Sequence, residues 1–563
     1  MLLVGFTGYQ ALKAKTALQR VAADFETLSG QLTSGDQPAA RATLADAQRN
    51  AREALENTNG PGWWLSSKIP QVGPNVDAVR VVAQVSDRLA SDVLPDVVTA
   101  TGVLQPEKLR PVKGRIDLEP IRAVTPEVVR AASLLSTQSQ RVQAIDVEQL
   151  APQIARPVME LQSRIAGADA LADRASRAVS LLPDMLGADG PRRYLFMFQN
   201  NAEIRATGGI PGAFATITAT NGRIRLGEQN DAGTIGRFAR PPVPLTAQEK
   251  TLFGDTIGIY PQDVNFTPDF PRSAELISGM WKARRDTAVD GVVSVDPVAL
   301  SYLLRGTGPV SATGGQRITA QNAVRLLLSQ VYADIPVPAQ NLFYNAVARS
   351  VFDAVSSGIG NPRAVLDNVV RAASERRLLV WSARPDEQRL LRPTALGGAL
   401  EVRATKTPEV GVYFNASRPS KLDYYLDYSA SVRSTRCVGT RQHLSVQLTM
   451  RSRVPRKFGF LSDYVAPSLP GFGRGSILVT PYFFVPVDGR ATAVSVDGQD
   501  EPFGMSALDG RRLIRRTVEL EPGQVRSLVV DMVSGPGQTD AANLRVTPGV
   551  RSTGIGTVEP SAC

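Results

Sequence analysis

Histidine and cysteine are nearly absent from this chain: its 563 residues include one histidine, His443, and two cysteines, Cys437 and Cys563. So small a supply leaves no zinc site built from His and Cys, and argues against a Ser-His-Asp or Cys-His catalytic set. His443 lies in an alternating, β-like stretch and reads as a structural or surface residue. Lysine is scarce as well, at 10 of 63 basic residues. With many Ala and Val, that arginine bias looks like the imprint of a high-GC genome. No run of basic residues could track a phosphate backbone, so nucleic acid is not an expected partner. A net charge of +10 still suits a position near anionic lipid or polymer. No P-loop, GxSxG, HExxH, GxGxxG or CxxC occurs in a usable context. The apolar opening Met1 to Tyr9 falls far short of the ~20 residues of a membrane span.

What is present divides by texture. Residues 1–17 read as the distal remnant of a membrane anchor, because the apolar opening passes straight into amphipathic helix without a cleavage-site pattern. Residues 18–184 are helical, with Leu18, Val21, Ala22, Phe25 and Leu28 at three- and four-residue spacing. They are expected to form a stalk of helical hairpins. Ser34-Gly35-Asp36 looks like a helix cap, and the Gly/Pro-boxed Trp63-Trp64 forms a bulky corner that either packs inward or meets a membrane interface. Residues 185–400 alternate strands and helices, which implies an α/β core with a mixed sheet. Residues 401–563 carry short, evenly spaced strands, including Leu422 to Leu426, and suggest a β-sandwich. The expected fold class is thus multidomain α+β. Cys437 falls early in the sandwich and Cys563 is the last residue; they form one disulfide outside the cytoplasm or stand as two unrelated thiols.

The stretch richest in chemistry is Tyr194 to Gly212. The apolar run Tyr194-Leu195-Phe196-Met197-Phe198 suits a buried strand. It leads directly into Asn200, Asn201, Glu203 and Arg205, then Gly208-Gly209. Loops at strand ends are where α/β proteins place binding and catalytic groups. Two further polar stretches, one with Asp231 and one with Asn265 and Asp269, are the plausible companions. An arginine near glycines can hold phosphate. Glu203, Asp231 and Asp269 could hold a divalent metal such as Mg²⁺ beside it, or act as acid and base. The structural alternative pairs Glu203 with Arg205 or its neighbours and makes Asp269 a helix cap.

The segments QNNAEIRATGGIPGAF, NFTPDFPRSAELISGMW, VDGVVSVDPVALSYLLRGTGPV and ITAQNAVRLL resemble, in this order, the domain of unknown function 4012 family of bacterial, actinobacterial-type envelope proteins. GPGWWLSSKIPQVGPNVDAVR and SKLDYYLDYSASV on either side fit the same family. The strand, Asp-Pro-led helix and Gly-Pro turn from Val289 to Val310 are similar to part of the LytR-CpsA-Psr phosphotransferases. That resemblance implies a protein at the extracytoplasmic face of the cell membrane, held through its N-terminus. It further implies metal-assisted phosphotransfer of a polyprenyl-linked glycan to the cell wall. Arg205 would then be a pyrophosphate ligand, with Glu203, Asp231 or Asp269 as metal ligand. The other expectation is a non-catalytic protein that binds or scaffolds envelope polymers.

Overall fold

The structure is a computed structural model that describes residues 2–457, 459, 461–468 and 470–563, with the backbone alone at 2–7, 313, 337 and 338. Met1 and the side chains of residues 2–7 in the apolar opening therefore lie outside the described residues. Among the described residues, no helix is long and apolar enough to cross a membrane. The fold is multidomain α+β. It divides into two compact units, Met1–Arg110 with Ile116–Gly190, and Pro111–Arg115 with Pro191–Cys563. The sequence boundaries stood at 184 and 400; the compact units part at Gly190, and the α/β and β parts fall together.

The first unit is helical. Helix Leu2–Ser34 (α1) and helix Gln37–Asn57 (α2) are joined by two residues and so run antiparallel, with Asp36 accepting from the Ala39 N–H at 3.1 Å. Their facing positions are small: Ala14, Ala17, Val21 and Leu28 on α1, and Ala40, Leu44, Ala47, Ala51 and Ala54 on α2, all buried. The alternating three and four spacing keeps one narrow stripe in contact, and alanine lets the backbones approach closely. Residues 73–103 supply a third helix with a π-helical turn at Leu89–Val93, packing Ala83 and Ala90 against that hairpin. A second hairpin of Glu119–Gln143 and Pro152–Met185 completes the unit. Pro126 sits inside the first of these helices.

The second unit is built on a five-stranded sheet: β1 (Arg192–Asn200), β2 (Ile210–Thr220), β3 (Arg223–Asp231), β4 (Gly291–Val295) and β5 (Leu378–Ser382). The order is β3-β2-β1-β4-β5, with β1 and β4 parallel and every other pair antiparallel. β1 is apolar on both faces because both are covered. Leu195 and Met197 meet helix Phe270–Arg285, including Met280 and Trp281, while Phe196 and Phe198 meet Val298, Ala299 and Tyr302 of helix Pro297–Thr307. Asp296 caps that second helix, accepting from the Ala299 N–H at 2.7 Å, with Pro297 in its first turn.

Downstream, two six-stranded sheets face each other. Val412 and Phe414 of one and Val446, Leu448 and Val530 of the other share a core, which continues without a break into Ile204, Leu304, Leu327 and Phe343 of the α/β part. Leu422–Tyr425, expected as strand, is a 3₁₀ turn, and the strand begins at Leu426. Cys437 and Cys563 form a disulfide, next to the short pairing of Thr557–Val558 with Ser431–Val432. Replacing both cysteines by serine is expected to lower the stability of this unit by about 2–4 kcal/mol. Denaturant unfolding under non-reducing conditions reads this, and an unchanged midpoint would show that strand pairing alone holds the segment.

Candidate functional site

The parallel pair β1/β4 brings two chain ends side by side at its carboxyl edge, the usual place for function in such sheets. Gln199 Nε2 donates to Ser294 Oγ at 2.6 Å, and Asn201 Nδ2 to Asp296 Oδ2 at 3.1 Å. The connection from Asn200 to Gly209 is then folded tightly inward. Gly209 has its Cα so near the Asn200 carbonyl that an added Cβ would lie 2.4 Å from it, and Gly208 holds a φ of +138°. Glycine is needed at both for close approach and backbone freedom. Their amides point inward: Gly208 N–H to the Arg205 carbonyl (2.8 Å), Gly209 N–H to Gln199 Oε1 (2.8 Å). Asn265 Nδ2 completes this corner by donating to the Gly209 carbonyl at 3.0 Å.

The sandwich holds the other side of the loop. Asp423 accepts from the Ile204 N–H at 2.9 Å, Asn415 from the Ala206 N–H at 3.1 Å, and Thr547 Oγ1 donates to the Ala206 carbonyl at 2.9 Å. Asn201 also reaches the Pro548 carbonyl at 3.3 Å. Beneath it, Arg377 is buried between Asp296 (2.7 Å) and Glu375 (2.9 Å), and Tyr302 donates to Glu375 at 2.8 Å.

The charged candidates are not paired with each other. Glu203 is ion-paired with Lys421, whereas Arg205 stands 3.7 Å from Asp263 and stacks 4.7 Å from the centre of the Phe266 ring. Arg205 Nε has no hydrogen-bond partner. Burial pushes the Asp263 carboxyl up to about 6 against the opposing pull of Arg205, and pushes Asp423 up to about 7 against the Ile204 N–H and Arg205. Asp269 sits at the N-cap of its helix, but its carboxylate accepts from the Leu400 N–H at 2.7 Å, and burial raises it to about 6. Asp231 ends β3, caps Thr234 at 2.7 Å and accepts from Asn341 at 2.7 Å. Glu203, Asp231 and Asp269 are therefore held by three different sets of partners. Among the described residues, no group of three His, Cys, Asp or Glu side chains is placed to hold a metal ion, so these carboxylates do not make a coordination set.

Sequence reasoning missed Lys421 and the cleft beside it. The cleft, of ≈ 130 Å³, is lined by Ser329, Tyr332, Lys421, Tyr424, Tyr425 and Ser462 among others. Its floor includes the π-helical turn Leu326–Gln330, a distortion frequent at functional sites. There the Leu327 carbonyl accepts from Tyr344 at 2.7 Å, and Asn200 reaches Tyr332. The Lys421 ammonium lies 5.0 Å from the Tyr332 ring centre and 5.5 Å from that of Tyr464. Burial disfavours its charge, but Tyr332 and Glu203 outweigh burial and hold its pKa above the ordinary lysine value. The signal for this cleft was SKLDYY, an alternating pattern interrupted by two charges.

Residues 189–332, within the α/β segment, match the model of a family described as "Protein of unknown function (DUF4012)". Neither the curated proteins nor the solved structures contain a match. The matched range takes in the four motifs from Gln199 to Leu327, and the flanking motifs around Trp63 and Lys421 lie outside it.

Two outcomes follow from these charges. An acid whose folded pKa is raised contributes stability that is complete below its ordinary pKa and is lost as pH rises through the folded value. Asp423→Asn keeps an acceptor for Ile204 and removes that titration. The variant is expected to lose less stability than wild type from about pH 4 to pH 8, and to be the more stable at the upper end by roughly 2 kcal/mol. Parallel slopes in denaturant titrations across pH would contradict the assignment. Lys421→Met should cost about 3–5 kcal/mol by stranding Glu203, and the double variant with Glu203→Gln should cost less.

Proposed function

We propose that this protein is a non-catalytic component of the cell envelope, on the extracytoplasmic face of the membrane, that binds an envelope polymer in the cleft at Lys421. The observation that carries this reading is a contrast between two neighbouring places. At the end of β1 the candidate catalytic groups are tied into internal bonds, while the cleft beside them is open and walled by tyrosines. Tyr424 and Tyr425 stand edge to face with ring centres 5.0 Å apart. Rigid aromatic faces with hydroxyl tips suit a sugar chain. The Cys437–Cys563 disulfide supports an oxidising compartment.

A phosphotransferase acting on a polyprenyl-linked glycan is the second reading. It is favoured by Arg205, with a free Nε, beside a carboxyl that burial has raised, a combination that clusters at working sites. Metal assistance is not supported by the donor set, since Glu203 and Asp269 would have to leave Lys421 and Leu400.

Equilibrium binding of a fluorescent cell-wall glycan separates the two. Tyr424→Ala and Ala333→Trp, the latter on the cleft rim, are expected to weaken binding about tenfold or more, and Arg205→Lys to leave it unchanged. Turnover of a polyprenyl-pyrophosphate-linked glycan that disappears in Arg205→Lys, with binding intact, would establish the second reading instead.

A further inference from the structure

The pair Trp63-Trp64 lies in the middle of the short helix Pro61–Ser66 and divides between two environments. Trp63 is buried at 5% exposure, and Trp64 stands out at 59%. Leu65, Ile69 and Val72 beyond it are exposed as well. The α1/α2 register brings the start of α1 to the same corner. Ala17 lies beside Ala54 and Val21 beside Ala51, so continuing the antiparallel register places Pro61 near Gln10. Helix Pro61–Ser66 packs against α1 accordingly. There Tyr9 and Leu12 are exposed, the latter at 65%. One end of the helical unit thus carries an aromatic and aliphatic surface that the unit itself does not cover, whereas monomeric proteins rarely leave such patches together.

The two segments at this corner carry only basic charges, although Glu53 and Glu56 at the end of α2 lie nearby and Glu53 stands 3.6 Å from Arg20. Residues 1–23 hold Lys13, Lys15 and Arg20, and residues 57–76 hold Lys68; neither segment contains an Asp or Glu. Among the described residues Lys13, Lys15 and Lys68 have no acid within ion-pair distance, unlike Arg88 with Asp92 and Arg130 with Asp96. The cations lie against the aromatic rings, Lys13 4.9 Å from the Tyr9 ring centre and Lys68 5.8 Å from that of Trp64. Tryptophan and tyrosine prefer the headgroup level of a bilayer, where lysine can keep its charge in water above buried apolar neighbours. Each basic residue near an anionic leaflet adds about 1 kcal/mol, roughly fivefold in partition.

We infer that the corner formed by Tyr9, Leu12, Trp64, Leu65, Lys68 and Ile69 is a membrane-interface contact that takes the headgroup region of a bilayer rich in anionic lipid. It deepens the envelope reading above by naming the surface that meets the membrane, and it makes no use of the Lys421 cleft. Polymer binding can therefore fail while this contact stands, and the reverse.

The test is co-sedimentation of the full chain with phosphatidylglycerol or phosphatidylcholine vesicles, read together with tryptophan fluorescence. Wild type is expected to bind phosphatidylglycerol vesicles with a blue shift, and phosphatidylcholine vesicles much more weakly. The pair Trp64→Ala with Leu65→Ala should weaken binding about tenfold or more, Lys68→Glu about fivefold or more in a salt-sensitive way, and Trp64→Phe should retain most of it. Because these side chains are exposed, circular dichroism and the unfolding midpoint should not change. Absence of binding to phosphatidylglycerol vesicles, or equal binding by wild type and the double variant, overturns the inference. Self-association in solution that the double variant abolishes, without vesicle binding, would assign the corner to a second copy instead.

Discussion

A backbone loop buried away from water must find a partner for every N–H and carbonyl, and the loop from Asn200 to Gly209 is buried along nearly all its length. It meets that demand with groups from both sides of the second unit. Gln199, Asn265 and Asn200 serve it from the sheet side; Asn415, Asp423 and Thr547 serve it from the sandwich. Leaving one of these amides unpaired costs about 1–3 kcal/mol, so neither side can relax independently. The shared hydrophobic core from Ile204 to Val530 works in the same direction. Sheet, helices and sandwich consequently behave as one cooperative body.

The buried Arg377 network fixes the orientation of that body. Arg377 precedes β5, Asp296 follows β4 and Asn201 follows β1, so three adjacent strand ends meet on one carboxylate. Such a network contributes little net stability compared with an apolar replacement, but it tolerates only one relative placement of its members. The same requirement explains why glycines stand at 208 and 209: the loop turns back so closely that a side chain would meet its own start.

Much of this architecture is legible in the residues. The five-residue apolar run of β1, the Asp-Pro start of the helix at Pro297 and the three-and-four spacing in α1 each follow from a local period. Local periods fail where a distant partner decides. Leu422, Tyr424 and Leu426 alternate like a strand, yet Lys421 and Asp423 draw the segment into a 3₁₀ turn because Glu203 and Ile204 need them. Glu203 and Arg205 stand out in the sequence as charges after a buried strand, but their partners lie elsewhere: Lys421 is 218 residues downstream. No spacing rule connects those positions, and the cleft that results could not be drawn from either segment alone.

The bond between Thr547 and Ala206 joins residues 341 apart in the chain, and that between Asn201 and Pro548 spans 347. During synthesis, β1 and its loop exist long before the groups that complete them. Until residue 548 has been made and placed, the loop's polar atoms stay wet and the apolar strand before it has no settled end. Contacts of such sequence separation form slowly and late. The second unit therefore closes only once residue 548 is in place, and the loop after β1 stays wet until then.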